Sequence, residues 1–186
     1  MLLPALLLLG ACIPRTNVDF AYRPGVSLNA LAGAPLRVEV LDERRRPADS
    51  AGEVRGLMGS TAGRAVTSRP VAELVRAGIE AGLVARGLAL ATPGQAGPVL
   101  SVALRQFEAV QVVQRGATAR FTVRLLDSAG RELWRHEEQQ REIDRTLGGG
   151  AGTAPVSALS PILARLLRNS VDKVLDDPGF RAALAR

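Results

Sequence analysis

The chain has 186 residues, 47% apolar and 23% charged, which suits one domain with a substantial core and excludes disorder. One Cys, one His, one Lys and six aromatics exclude a disulfide framework, a Cys/His zinc site, a Cys–His nucleophile pair and a Lys-dependent phosphate loop. The net charge of +6 is carried by Arg, with Lys173 the one exception, and the aromatics are too scattered to stack bases, so no nucleic-acid partner is expected.

Residues 1–12 read MLLPALLLLGAC. The apolar run from Leu2 to Leu9 is far shorter than the ~20 residues needed to cross a bilayer. It matches the apolar centre of an export signal, although no Lys or Arg precedes it. Leu9-Gly10-Ala11-Cys12 resembles a bacterial lipobox. That resemblance implies cleavage before Cys12 and a diacylglycerol thioether on its sulfur, with a further acyl group such as palmitate. Two or three acyl chains hold a protein stably on a membrane where one does not. Ile13 stands where Asp would signal inner-membrane retention, so the resemblance implies the outer membrane, facing the periplasm. The expected organisation is a signal peptide at 1–11, a lipidated N-terminus and tether at 12–35, and a single α+β domain at 36–186.

Val18, Phe20 and Tyr22 alternate with polar or small residues, as in a half-buried strand. Residues 36–41 form the first strong strand, with Leu36, Val38 and Val40 on one face. Residues 42–67 read as a long irregular segment with Arg44, Arg45, Arg46 and four glycines, long enough to be either functional or mobile, with room for a short extended piece near 65–68. A helix is predicted over 70–86, opened by Pro70 and closed by Gly87. Val71, Leu74, Val75, Gly78, Ile79, Gly82 and Leu83 make its apolar stripe, and Gly78 and Gly82 imply close approach to a sheet. Residues 88–91 suggest a short strand. Strands follow over 99–110, with a bulge near 105–106, over 118–126, and over 131–143, the last polar enough to be a solvated or an edge strand. A Gly-rich loop at 147–153 leads to a second helix with Ser160 as N-cap and Pro161 at its first position. Phe180 and Leu184 suggest a terminal turn that folds back. The expected fold is β-α-β-β-β-α, a mixed, mostly antiparallel sheet with two amphipathic helices on one face.

Chemistry is sparse. His136 is the one conventional general base, and it reads as an exposed strand residue with no nucleophile tied to it. Gly59-Ser60-Thr61-Ala62-Gly63 resembles a nucleophile elbow only in outline, because its centre is Thr. The glycines at 148–152 miss dinucleotide spacing. No enzyme, metal or cofactor is expected beyond the covalent lipid on Cys12.

The lipobox at Cys12, the strand from Val38 to Asp42 with Arg44, Val66-Thr67-Ser68-Arg69-Pro70 entering the helix and Ala85-Arg86-Gly87-Leu88 leaving it carry a resemblance. So do residues 99–104, the strand 119–125 and the tail 176–186. In this order the pieces resemble the YajG-type family of bacterial lipoproteins. The resemblance implies a non-enzymatic, lipid-anchored envelope protein, an adaptor or accessory with another envelope component as partner. The alternative is an accessory subunit of a lipid or lipopolysaccharide transport system that contacts lipid directly. The candidate contact surface for a partner or an anionic membrane is Arg44, Arg45, Arg46, Leu57 and Met58. The open sheet face around Arg120, Thr122 and Arg124 is the second candidate.

Overall fold

The computed structural model describes residues 13–25, 28–144 and 155–185. The export segment with Cys12 and the Gly-rich stretch 147–153 lie outside the described residues. The fold is α+β, as expected, but with more strands than the sequence reading gave. The strands are β1 (Arg15–Asn17), β2 (Arg37–Asp42), β3 (Ser50–Arg55), β4 (Thr61–Val66), β5 (Val99–Gln111), β6 (Arg115–Leu126) and β7 (Glu132–Asp144). They form one mixed sheet in the order β1-β4-β3-β5-β6-β7, with β2 also paired to β5. β5 pairs in parallel with β2 along its first half and with β3 near its end. β5, β6 and β7 form the expected antiparallel meander, with the bulge falling between Leu104 and Gln106.

The segment at 42–67 is therefore not irregular: it contains the β3–β4 hairpin. Its strands are short and built of Gly, Ala, Ser and Arg around Val54 and Val66, so periodicity gives little signal. They exist because their backbones complete ladders to β5 and β1. Conversely, residues 18–22 are not a ladder strand. The pairing ends where the Val18 N–H donates to the Val66 carbonyl. The alternation there marks burial instead: Val18, Phe20 and Tyr22 are all buried. Phe20 stacks on Phe107 with ring centroids 5.4 Å apart. Much of the segment read as tether is thus integral to the core. Residues 88–91 supply only a single bridge, Leu36 to Leu90.

Helices α1 (Val71–Ala85) and α2 (Ser160–Leu175) pack on one face of the sheet, α1 against β2 and α2 against β6 and β7. Gly87 at φ +84° closes α1, with the Leu88 N–H reaching back to the Leu83 carbonyl. Ser160 is not an N-cap, because a 3-10 turn at Val156–Leu159 runs straight into α2. A third helix, α3 (Pro178–Leu184), folds back as expected, with the Asp177 carboxylate accepting from the Phe180 N–H at 2.9 Å. Phe180 is buried against Trp134.

Gly78 and Gly82 face α2, not the sheet. A Cβ on Gly78 would lie 3.0 Å from Leu167 Cδ2, and one on Gly82 would lie 2.8 Å from Val171 Cγ1. Gly78→Leu should therefore destabilise the domain by about 1–3 kcal/mol through overpacking. The exposed Arg76 on the same helix is the reference, where Leu should be nearly neutral. Matching thermal midpoints for Gly78→Leu and Arg76→Leu would contradict this helix pairing.

Candidate functional site

The first candidate surface divides into two places with different roles. The Arg44 side chain is only 2% exposed. Its guanidinium pairs with Asp42 and donates to the carbonyls of Ala48, Ser50 and Phe107. It fills the gap where β5 exchanges β2 for β3 and ties together backbone carbonyls from β3, β5 and the segment between β2 and β3. Burial pushes the Asp42 carboxyl up, but the hydrogen bonds from Arg44 outweigh it and hold it below the usual carboxylate range. Arg46 bridges Glu53 at 3.5 Å and Glu108 at 2.6 Å. Arg45 alone is exposed with no ion pair among the described residues. Two of the three arginines are thus struts inside the fold.

Leu57 and Met58 stand apart, at the tip of the β3–β4 hairpin. The Gly56 N–H donates to the Ser60 carbonyl, and Gly59 takes φ +81° to close the turn. Leu57 is 71% exposed and Met58 97%. This turn also contains the start of the elbow-like string at 59–63, which continues into β4 and has no elbow geometry.

His136 is not an exposed strand residue. It lies on the helix-facing side of β7, stacked on Trp134. Its Nε2 is 3.1 Å from Glu138, whose buried carboxylate also accepts from Lys173 of α2 at 3.0 Å. The one His and the one Lys of the chain converge on a carboxylate that fastens α2 to β7. No cluster of three metal-ligating side chains occurs among the described residues.

Sequence reasoning missed a second buried cation. Arg86, at the end of α1, has a fully buried side chain that pairs with Asp172 of α2 and with Asp176 just past its end, each at 3.1 Å. Tyr22 donates its hydroxyl to Asp172 at 2.6 Å. Burial would lower the Arg86 pKa, but hydrogen bonds with Asp176, Tyr22 and Asp172 outweigh it and raise it. Burial lifts the Tyr22 phenol. Nothing in the spacing of residues 22, 86, 172 and 176 announces this contact.

On the sheet face opposite the helices lie Arg120 and Arg124 of β6 and Arg141 of β7. All three are exposed and form no ion pair among the described residues. Thr122, between the first two, is instead buried beneath Arg105, which donates to its hydroxyl at 3.1 Å. A shallow groove beside Arg120 runs between Arg45, Arg105 and Glu108. No helix of the described residues is long and apolar enough to cross a membrane.

This sheet, with helices on one face and the other uncovered, places the chain among small α+β proteins of known structure. Protein XCC0632 from Xanthomonas campestris, of the DUF330 family, is similar over 87% of this chain and 94% of its own, with 18% identity and a TM-score of 0.58. An uncharacterised protein is similar over 84% and 96%, with 12% identity and a TM-score of 0.57. At these identities the likeness is one of fold. Lipoprotein GNA1162 from Neisseria meningitidis superposes more loosely, at 16% identity over 78% and 100% with a TM-score of 0.33, and carries no argument. No protein-family model and no curated protein matches the sequence.

Proposed function

We propose that this chain is a YajG-type bacterial lipoprotein, acylated on Cys12 and held on the outer membrane facing the periplasm. In this reading it is a non-enzymatic adaptor or accessory that binds another envelope component, with no cofactor beyond the lipid. The single observation that carries it is an uncovered sheet face with three arginines that have no ion pair among the described residues, over a closely packed interior. Unpaired charge on an exposed sheet speeds encounter with an acidic partner and fixes its register.

The alternative is an accessory of lipid or lipopolysaccharide transport that takes lipid into the domain. It requires a hollow between helices and sheet. Leu100, Leu104, Leu163, Leu166 and Leu167 are all fully buried there, which favours the adaptor.

Mass spectrometry of the membrane fraction tests the anchor. The mature protein should begin at Cys12 and carry its thioether lipid. An uncleaved chain with a free thiol would overturn both anchor and location. Crosslinking in cells from position 120 should then capture one envelope protein, and Arg120→Glu with Arg124→Glu should abolish that capture. Turnover of a hydrolase substrate that is lost in His136→Ala would overturn the non-enzymatic reading.

A further inference from the structure

Nine large apolar residues are exposed among the described residues. The topology gathers six of them at one end of the sheet. β3 and β5 run parallel, with Val54 opposite Gln111, so the β3–β4 tip and the β5–β6 turn lie side by side. The first carries Leu57 and Met58, and the second carries Val112 and Val113, 36% and 57% exposed. Ile143, 44% exposed, pairs with Gly116 at the same end of β6. Ile13 arrives there too. Arg15 of β1 pairs with Arg64 of β4 in parallel register, and the Pro14 carbonyl accepts from the Arg64 N–H. Ile13 is thereby level with the first residues of β4, beside the hairpin tip.

We propose that this end of the sheet rests on a lipid surface, with Leu57, Met58, Val112 and Val113 dipping into the acyl boundary. The inference rests on the anchor reading above for its orientation. Cys12 directly precedes Ile13, so a lipid on that sulfur would leave the domain from this end. Apolar residues clustered at the outlet of an anchor are matched to the surface that the anchor enters. Charge does not oppose the contact. Arg55 and Arg115, the charged residues next to the two tips, are paired with Glu53 and Asp144. In this posture the strands stand on the membrane, and both the helix layer and the basic open face remain accessible to a protein partner. The anchor alone would leave the domain swinging on its lipid; the two tips fix its orientation.

The test uses the full chain, expressed with its own export segment and reconstituted into phosphatidylcholine–phosphatidylglycerol vesicles. Met58→Cys, Val113→Cys and, at the opposite end of the sheet, Ser128→Cys are labelled with a polarity-sensitive fluorophore. Labels at 58 and 113 should shift to the blue and be quenched by lipids brominated in the upper acyl chain, while the label at 128 does neither. Labels at 58 and 113 as wet as the one at 128 would overturn the proposal, as would a blue shift without quenching by the brominated lipid, which marks a protein contact. The unsubstituted chain separates the two readings. If it takes up label, the Cys12 thiol is free and the anchor reading fails. The same three variants in a Cys12→Ser background then decide the surface alone: quenching at 58 and 113 on adding vesicles sustains it, and no change overturns it.

Discussion

Gly52→Ala should lower the stability of the domain by about 3 kcal/mol, the upper end of the usual cost of overpacking, or roughly 10 °C in melting temperature. Gly52 is the first residue of β3 to pair with β5, at φ +152° beside a register shift in the β3–β4 ladder. A Cβ there would lie 1.9 Å from the carbonyl oxygen of Ala109. That atom belongs to the backbone of a central strand, so no rotamer change relieves the clash, and β3 must move off β5. The damage should be local first. Amide exchange should accelerate across residues 50–66 while the β5–β6–β7 meander stays protected. Gly59→Ala is the control, because φ is also positive there but nothing lies within 4 Å of the added carbon. Its cost should be only the left-handed backbone strain, about 1 kcal/mol. Equal melting of the Gly52 variant and the native chain would show that β3 and β5 are not paired as described. In the proposed membrane posture the substitution would also loosen the contact, since the hairpin it disturbs carries Leu57 and Met58.

Arg86→Leu should cost about 3 kcal/mol, measured as a shift of the urea midpoint at constant slope. The guanidinium is fully buried and joins three parts of the chain: the end of α1, the C-terminal half of α2 and the inward-turned Tyr22. Removing it leaves Asp172 and Asp176 facing each other with no cation between them. Both are partly exposed, 24% and 32%, so water relieves some of the repulsion and the loss sits at the low end for a broken buried pair. Tyr22→Phe should cost less, about 1–2 kcal/mol, because it removes the hydrogen bond donated to Asp172 and the one accepted from Arg86 but leaves the ion pairs. The double variant should lose less than the sum of the two, since both act on Asp172. Additive losses would mean that Tyr22 and Arg86 stabilise the helix pair independently.

The elements that could be read from the chain are those whose own residues dictate them. The stripe from Val71 to Leu83 with Gly87 behind it specified α1 to within a residue at either end. The alternation of Phe121, Val123 and Leu125 specified β6. The candidate site was less legible. Arg44, Arg45 and Arg46 look equivalent as a run of three like charges. Only the exchange of β2 for β3 along β5 decides that Arg44 is a buried strut, that Arg46 bridges two glutamates and that Arg45 is left outside.

By itself, the sequence determined the helices, the meander, the polar character of β7 and the apolar run ending in Cys12. In each, the determining signal lies within one stretch of chain. Tertiary structure alone decided the β3–β4 hairpin, the docking of residues 18–22 on the core without a ladder, the Arg86 network and the gathering of Ile13, Leu57, Met58, Val112, Val113 and Ile143 at one end. Each depends on strand order and register, which bring together residues far apart in sequence. A short strand of Gly, Ala and Arg carries almost no periodic signal, and it becomes a strand because a neighbouring backbone offers it a ladder.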